Sequence, residues 1–247
     1  MYLITKWFGT FICDKRGIKN KILFPKEVNE IAKRLLKIDK NELLSEESLL
    51  NPVSLYAETK LKAEKSLLKL RNDTFHPCIL RLSTVFGLSH RMRFDLVVNI
   101  LTAHAIKNKK ISIFSGKQWR PLVHVKDVGM AIMNVLNQPI KKISGEIFNI
   151  GMEDNNYQIE EIGNLIKELF PEITINRVEE KEDERSYRVT FEKARTVLNY
   201  NAKYSLKEGI IEIAEYLKEE QIDFKESQYS NYKKVQFGVF DSISFSE

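Results

Sequence analysis

Tyr56 and Lys60 are the residues whose types and spacing are best suited to chemistry, because they stand four positions apart in Tyr56-Ala-Glu-Thr-Lys60. In a helix this spacing is close to one turn, so both side chains leave the same face. A free tyrosine has a pKa of about 10, and a neighbouring ammonium group favours its ionised form. The pair therefore predicts a tyrosine that gives and takes a proton as a general acid or base, which is chemistry typical of redox enzymes.

The segment that carries this pair predicts a helix over 54–71, because it is rich in Ala, Leu, Lys and Glu and contains neither Gly nor Pro. The next segment, 76–87, has a short apolar run with β-branched residues near its end and stops at Gly87, which predicts a buried strand. A helix followed by a buried strand is typical of an α/β sheet.

Helices and strands are predicted to alternate as far as Gly151, after which the order of elements changes. Apolar spacing predicts helices over 94–106, 128–136, 159–169, 191–198 and 205–220, and strands over 111–114, 120–125, 145–151 and 173–178. Asp127 is expected to cap the helix over 128–136, and Ser205 and Glu208 to form a capping box for the last helix. His124, which lies between two valines of a predicted strand, is expected to be a satisfied core residue.

The composition indicates a globular protein with reduced thiols. The 247 residues and 43% hydrophobic content allow one large domain or two small ones. The 39 basic and 34 acidic residues are interspersed, so the net charge of +5 does not imply a nucleic-acid partner. Cys78 stands in an apolar run far from Cys13, which favours a buried, reduced thiol over a disulfide. The Cys and His residues show no metal-ligand spacing, so no metal is expected.

The amino-terminal segment 2–13 is apolar, but it contains Lys6 and lacks a small-residue cleavage site, which makes it a poor signal peptide. The sequence has no run of about 18 uninterrupted apolar residues, so we expect no membrane span. Together with the reduced thiols, these observations lead us to expect a cytoplasmic protein.

Four blocks of the sequence follow one another along the chain: Tyr56-Ala-Glu-Thr-Lys60, Arg81-Leu-Ser-Thr-Val-Phe-Gly87, Gln118-Trp-Arg-Pro-Leu-Val-His-Val-Lys-Asp127 and Asp183-Glu-Arg-Ser-Tyr-Arg188. In their order and spacing they resemble the extended short-chain dehydrogenase/reductases, specifically the NAD-dependent nucleotide-sugar epimerases and dehydratases. A lone Tyr-x-x-x-Lys arises often by chance, whereas four ordered blocks do not. The resemblance extends from about Leu43 to Tyr229.

This resemblance implies roles for particular residues. Tyr56 is expected to transfer the proton, and Lys60 to lower its pKa, while both contact the nicotinamide ribose of NAD. Arg120 and Arg185 are expected to bind the substrate diphosphate, since a guanidinium fork can contact two oxygens at once, and Asn99 to bind close by. For Arg185 the alternative is an ion pair with the acidic residues of 179–184.

The front of the chain departs from the pattern of the family. Such enzymes open with a strand, a glycine-rich turn and a helix whose N-terminus receives the cofactor pyrophosphate. Ahead of Tyr56 the sequence has only Gly9 and Gly17, and Lys6 stands where the first glycine is expected. A βαβ unit of roughly 30 residues would leave little room there for further strands. We infer an internal deletion, a truncation or an altered reading of the gene upstream.

The expected fold class is α/β, an incomplete doubly wound, Rossmann-like parallel sheet with a smaller C-terminal substrate lobe. We interpret 1–50 as an atypical remnant of the nucleotide-binding half and 236–247 as a tail. The C-terminal part of the sheet is assigned to 51–90 and 119–151, and the substrate lobe to 91–118 and 152–235. A ligand would bind between them, outside the carboxyl ends of the strands.

The resemblance implies conversion of a nucleoside-diphosphate sugar through a transient keto intermediate, with NAD as the hydride carrier. The alternative is a catalytically inactive remnant that binds a sugar nucleotide or a partner protein, and the short front favours this alternative for the isolated chain. The motifs do not choose between epimerase, dehydratase and reductase outcomes. A homodimer is expected by resemblance only.

Overall fold

The computed structural model describes residues 2–6, 9–13, 43–52, 54–179, 186–220 and 222–230. The strands are β1 Tyr2–Lys6, β2 Gly9–Cys13, β3 Leu43–Leu44, β4 Ile79–Leu82, β5 Thr84–Phe86, β6 Lys110–Phe114, β7 Trp119–His124, β8 Ile147–Ile150, β9 Asn156–Gln158, β10 Thr174–Val178 and β11 Arg188–Val189. The helices are α1 Leu55–Lys69, α2 Val97–Asn108, α3 Val125–Leu136, α4 Ile140–Ile143, α5 Ile159–Leu169, α6 Glu192–Leu198 and α7 Leu206–Glu219.

The largest sheet among these residues has the strand order β2-β1-β4-β8. Strands β1, β4 and β8 are parallel, with Lys6 opposite Leu82 and Leu80 opposite Phe148. Every residue of β4 is buried, as expected for a central parallel strand that is covered on both faces. The expected α/β class with an incomplete parallel sheet is confirmed.

The chain opens with a hairpin, because β2 is antiparallel to β1, with Tyr2 opposite Cys13 and Lys6 opposite Gly9. The family pattern has a helix after the first strand, whereas this chain has a second strand in that place. Thr10, Phe11 and Ile12 are β-branched or aromatic and favour a strand. An antiparallel partner also needs only a short connection, whereas a parallel partner needs a long one.

The strand predicted over 76–87 is divided between two sheets at Ser83. The backbone N–H of Ser83 still donates to the carbonyl of Ile150 in the main sheet, at 3.0 Å. From Thr84 onward the chain pairs with β7 instead, with Thr84 opposite Leu122. Strand β7 also pairs with β9, and the smaller sheets are β5-β7-β9, β6-β10 and β3-β11. The prediction of one continuous strand is therefore wrong, because the change of partner depends on tertiary pairing.

Two apolar clusters fill the interior of the described residues. One joins the strands of the main sheet to α3 and α6, and its members include Leu80, Val135, Phe148 and Leu198. The other joins α2, α5 and α7 to β6, and its members include Val98, Ile111, Ile162 and Ile213. The division into sheet and lobe that the sequence suggested stays a prediction.

Helix α3 begins earlier than predicted, which changes the role of Asp127. The N-cap is His124, whose Nδ1 accepts from the backbone N–H of Lys126 at 3.2 Å. Asp127 lies inside the first turn, and its carboxylate accepts from the backbone N–H groups of Lys203 at 2.9 Å and Tyr204 at 3.1 Å. The predicted Asp127 cap is wrong, and this carboxylate instead holds the segment that leads into α7.

The helix predicted over 54–71 and the predicted capping box of the last helix are closer to the structure. Ser54 caps α1 by accepting from the backbone N–H of Ala57 at 3.2 Å. The capping box of α7 is confirmed, since Glu208 accepts from the Ser205 backbone N–H at 2.7 Å and Ser205 accepts from that of Glu208 at 3.3 Å. None of the helices in the part of the chain that the structure describes is long and apolar enough to cross a bilayer.

Candidate functional site

Helix α1 brings Tyr56 and Lys60 together. Ser54 starts the helix, so Tyr56 lies in its first turn and Lys60 follows about one turn later. The Nζ atom of Lys60 lies 5.4 Å from the centroid of the Tyr56 ring, and the tyrosine is 42% exposed. The shared face that the spacing predicts is therefore present, and the phenol borders solvent where a ligand can reach it.

The electrostatic surroundings of this pair differ from the expectation. Partial burial raises the pKa of Tyr56 to about 12, while the positive charge of Arg93 acts in the opposite direction. Burial also lowers the pKa of Lys60. In this state the phenol is a proton donor at neutral pH, and the sequence-based expectation of a lowered tyrosine pKa is not met by the chain on its own.

Arg93 is the residue of this site that the sequence reasoning did not single out. Its guanidinium makes a two-bond fork with Asp95, from Nε to Oδ1 at 2.9 Å and from Nη2 to Oδ2 at 2.8 Å. Both side chains are mostly buried. Arg93 lies in an irregular loop between β5 and α2, so no periodicity marks it, and only the Arg-x-Asp spacing hints at the fork.

Asn99 lies on α2 and is only 3% exposed. Its Nδ2 donates to the backbone carbonyl of Arg93 at 3.1 Å, which ties Asn99 to the loop beside Tyr56. Its Oδ1 is buried and accepts no hydrogen bond from the described residues. A buried acceptor that stays unsatisfied costs about 1–3 kcal/mol, so this atom is suited to a donor group of a ligand.

Arg120 lies on β7, half-buried, with Nη1 donating to the carbonyl of Trp119 at 2.8 Å. The guanidinium of Arg188 lies over the Trp119 ring, 5.0 Å from its centroid. Close by in the sequence, Gln118 has a buried Oε1 that accepts no hydrogen bond from the described residues. This strand end thus combines two guanidinium groups with an unsatisfied amide oxygen. Arg185 lies outside the described residues.

Two other residues considered as candidates, His124 and Cys78, are buried in the protein interior. His124 is 1% exposed, its Nε2 lies 2.9 Å from Oε2 of Glu212, and its ring stacks on Tyr204 with centroids 4.6 Å apart. The expectation of a satisfied core histidine is confirmed. Cys78 is a buried, free cysteine, and burial raises the pKa of its thiol to about 12, so the expectation of a buried, reduced thiol is confirmed.

The sequence model of the NAD dependent epimerase/dehydratase family matches residues 15–151, which is more than half of the chain. The chain belongs to this family. The matched residues include Tyr56, Lys60, Asn99 and Arg120, whereas Arg185 lies beyond them.

A curated relative from Bacillus subtilis (strain 168), named as the uncharacterized UDP-glucose epimerase YtcB, is 30% identical over 184 residues. The match covers 72% of this chain and 56% of the relative. The chain therefore spans little more than half the length of that relative.

Two solved structures are similar to this fold. The UDP-glucuronic acid 4-epimerase from Bacillus cereus, in complex with UDP-glucuronic acid and NAD, is 27% identical with a TM-score of 0.64, over 73% of this chain and 58% of that one. The dTDP-glucose 4,6-dehydratase from Bacillus anthracis str. Ames, in complex with NAD, is 25% identical with a TM-score of 0.64, over 74% of this chain and 58% of that one.

Proposed function

We propose that this chain carries the proton-transfer and substrate-binding part of an NAD-dependent epimerase or dehydratase that acts on a nucleoside-diphosphate sugar through a transient keto intermediate. The observation that carries the proposal is the Tyr56 and Lys60 pair on one face of α1, with the ammonium 5.4 Å from the ring. Membership of the family and the UDP- and dTDP-sugars named for its relatives support it.

The chemistry assigned to the chain is proton transfer. As the sugar carbinol is oxidised to a ketone, its hydroxyl proton passes to the phenolate oxygen of Tyr56, and the same proton returns when the ketone is reduced. NAD, when bound, supplies the hydride acceptor for the carbon. The step requires the phenolate form of Tyr56, which the positive charges of Lys60 and Arg93 favour and which partial burial of the phenol opposes.

The described residues fit the ribose end of NAD. The Tyr56 hydroxyl and the Lys60 ammonium are partly exposed donors on one helix face, and both can hydrogen-bond to sugar hydroxyls. The described hairpin of β1 and β2 offers no helix N-terminus to a pyrophosphate. We therefore assign residues to the ribose of NAD and none to its pyrophosphate.

The substrate contacts are assigned to buried polar atoms that accept no hydrogen bond from the described residues, and to the nearby guanidinium groups. Asn99 offers a buried carbonyl oxygen beside the Tyr56 site, and Arg120 offers a partly buried guanidinium at the start of β7. An arginine can bind two phosphate oxygens of a diphosphate at once. The assignment of Arg185 to the same diphosphate stays a proposal that rests on the resemblance.

The test is thermal unfolding of the purified chain with UDP-glucose, UDP-glucuronic acid, dTDP-glucose or NAD, and with glucose as the control ligand. A ligand that binds the folded state raises the midpoint temperature by mass action. We expect a shift with NAD and with at least one sugar nucleotide, and a smaller sugar-nucleotide shift in Arg120→Ala. Arg195→Ala, which removes an exposed arginine paired with Glu192, should keep the full shift.

The outcomes of this test separate the hypotheses. A sugar-nucleotide shift without any NAD shift would support the inactive remnant, which the comparisons do not favour. A chain that responds to none of the nucleotides would overturn the proposed function.

A further inference from the structure

Tyr56, Lys60 and Glu64 form one row along α1, because they follow each other at intervals of four residues. Each interval turns the helix by about 40° beyond a full turn, so the row drifts slowly from the exposed side toward the sheet. Tyr56 at one end is 42% exposed, whereas Glu64 at the other end is 7% exposed. Tyr56, at the exposed end of the row, and Glu64, at its buried end, therefore belong to one rigid helix.

Glu64 is fixed by a fork from Arg81, which lies on the central strand β4. Arg81 donates from Nη2 to Oε1 of Glu64 at 2.7 Å and from Nε to Oε2 at 3.0 Å. Its remaining arm, Nη1, donates to the backbone carbonyl of Glu46 at 3.0 Å. Arg81 is 8% exposed, so the fork lies out of contact with bulk solvent and fixes the direction of the Glu64 side chain.

Helix α1 has few fully buried side chains that could fix its rotation. Its buried residues are Glu64 and the small Ala57, whereas Leu61, Leu67 and Leu68 are only half-buried. A buried ion pair adds little net stability over an apolar pair of the same size, because desolvation of the charges offsets their attraction. A two-bond fork, however, sets orientation as well as contact.

We propose that Glu64 and Arg81 are positioning residues that set the rotation of α1 about its own axis and so hold Tyr56 and Lys60 in their working orientation. This inference rests on the proposed function of the Tyr56 and Lys60 pair. In this role the buried ion pair acts on the geometry of the site, and not only on the stability of the fold.

The experiment places 3,5-difluorotyrosine at position 56 and follows the fluorine chemical shift of that single residue against pH. Fluorination brings the phenol into a range that can be titrated in the folded protein. Glu64→Ala is compared with Glu58→Ala, which removes an exposed glutamate of the same helix, 47% exposed and 3.8 Å from Lys62. Circular dichroism and urea unfolding confirm that each variant is folded at the pH values used.

We expect Glu64→Ala to shift the pKa of the fluorinated phenol by at least about half a unit, a roughly threefold change in its ionisation constant. Glu58→Ala should leave the titration unchanged. Arg81→Lys, which keeps the charge but loses the fork, should give a shift in the same direction. A folded, destabilised Glu64→Ala with the wild-type titration would overturn the inference and leave the pair as a stability feature only.

Two further results keep the experiment decisive. If Glu64→Ala does not fold, Glu64→Gln and Arg81→Lys, which preserve volume, are judged by the same criterion. The titration needs neither NAD nor a sugar nucleotide, so a shift in a chain that binds neither ligand would sustain the positioning role and sink the proposed function. Ligand binding without a shift would sink the positioning role alone.

Discussion

Tyr56 is held in surroundings that oppose its ionisation, and the positive charge of Arg93 only partly offsets this effect. Burial raises its pKa to about 12 and Arg93 acts against that increase. Asp95 holds the Arg93 guanidinium through two hydrogen bonds, so the position of this charge is fixed. At the scale of residues, the proton-transfer proposal therefore depends on Arg93 as well as on Lys60.

Replacing Arg93 tests this dependence directly. Loss of a positive charge disfavours the phenolate, so Arg93→Met should raise the pKa of the residue-56 phenol, measured with the difluorotyrosine label. In an active preparation, the limb of the pH–rate profile that reports phenol ionisation should move to higher pH. Arg93→Lys should stay closer to wild type because it keeps the charge. An unchanged or lower pKa in Arg93→Met would contradict the role of this arginine.

Tyr56→Phe removes the hydroxyl and keeps the ring. General acid–base groups contribute about 100- to 10,000-fold to rates, so turnover of the accepted sugar nucleotide should fall by this order while its binding, measured by calorimetry, is retained. Tyr216→Phe, on α7, is the matched control and should leave turnover unchanged. Full activity in Tyr56→Phe would remove this residue from the chemistry.

Elements were predictable from the sequence where the signals are local. The apolar spacing over 159–169 gives the bounds of α5, and Ser205 with Glu208 marks the start of α7. Predictions failed where a distant partner decides the structure, as at Ser83, where the chain leaves one sheet for another. Arg93 was missed for the same reason, since its proximity to Tyr56 follows from tertiary folding and not from spacing.

His124, which lies where β7 and α3 meet α7, is expected to make the stability of the protein depend on pH. Burial lowers the pKa of His124, and the hydrogen bond and charge of Glu212 offset this only in part, with Lys126 lowering it and Asp127 raising it. The unfolded chain, whose histidine titrates at about 6.5, therefore takes up the proton first as pH falls. This contribution to stability is fully present above that value and is lost progressively below it, toward the lower pKa of the folded state.

The measurement is urea unfolding between about pH 7.5 and pH 5.5, a window that brackets the unfolded-state value. The free energy of unfolding of the wild type should fall more steeply than that of His124→Gln, whose amide can still donate to Glu212. Burial also lowers the pKa of His104, whose Nδ1 lies 2.7 Å from Nδ2 of Asn108. That contribution is common to both proteins, so equal slopes would contradict the role of His124.

Gly87 ends β5 in a conformation that no other residue adopts easily, with φ at +102°. A Cβ atom there would lie 2.3 Å from Nε2 of His124. Gly87→Ala should destabilise the protein by roughly 1–3 kcal/mol from backbone strain alone, and further through the clash. Gly129→Ala, in α3 with open space around the new Cβ, should instead stabilise it by about 0.5–1 kcal/mol. Urea unfolding of both variants measures the contrast, and equal effects would refute it.

At the scale of the whole molecule, the resemblance to the family implies a homodimer. Leu55, the first residue of α1, and Leu70, its C-cap, are 77% and 60% exposed, and we propose that the homodimer forms through this helix. Leu55→Glu should lower the dimer fraction in sedimentation velocity without changing the unfolding free energy of the monomer, because the side chain is exposed. A wild-type chain that sediments as a monomer at all concentrations would refute the dimer.

Glu46 lies at the edge of the largest sheet, beside its last described strand. Strand β8 is the last strand of that sheet among the described residues, and the outward N–H of Asn149 donates to Oε1 of Glu46 at 2.7 Å. An open strand edge is a template for adding a further strand, and inward-pointing charged residues are one way of blocking it. The Glu46 carboxylate occupies the position that a carbonyl of a further strand would take at Asn149. The segment that leads into α1 therefore makes this edge a poor template for a further strand.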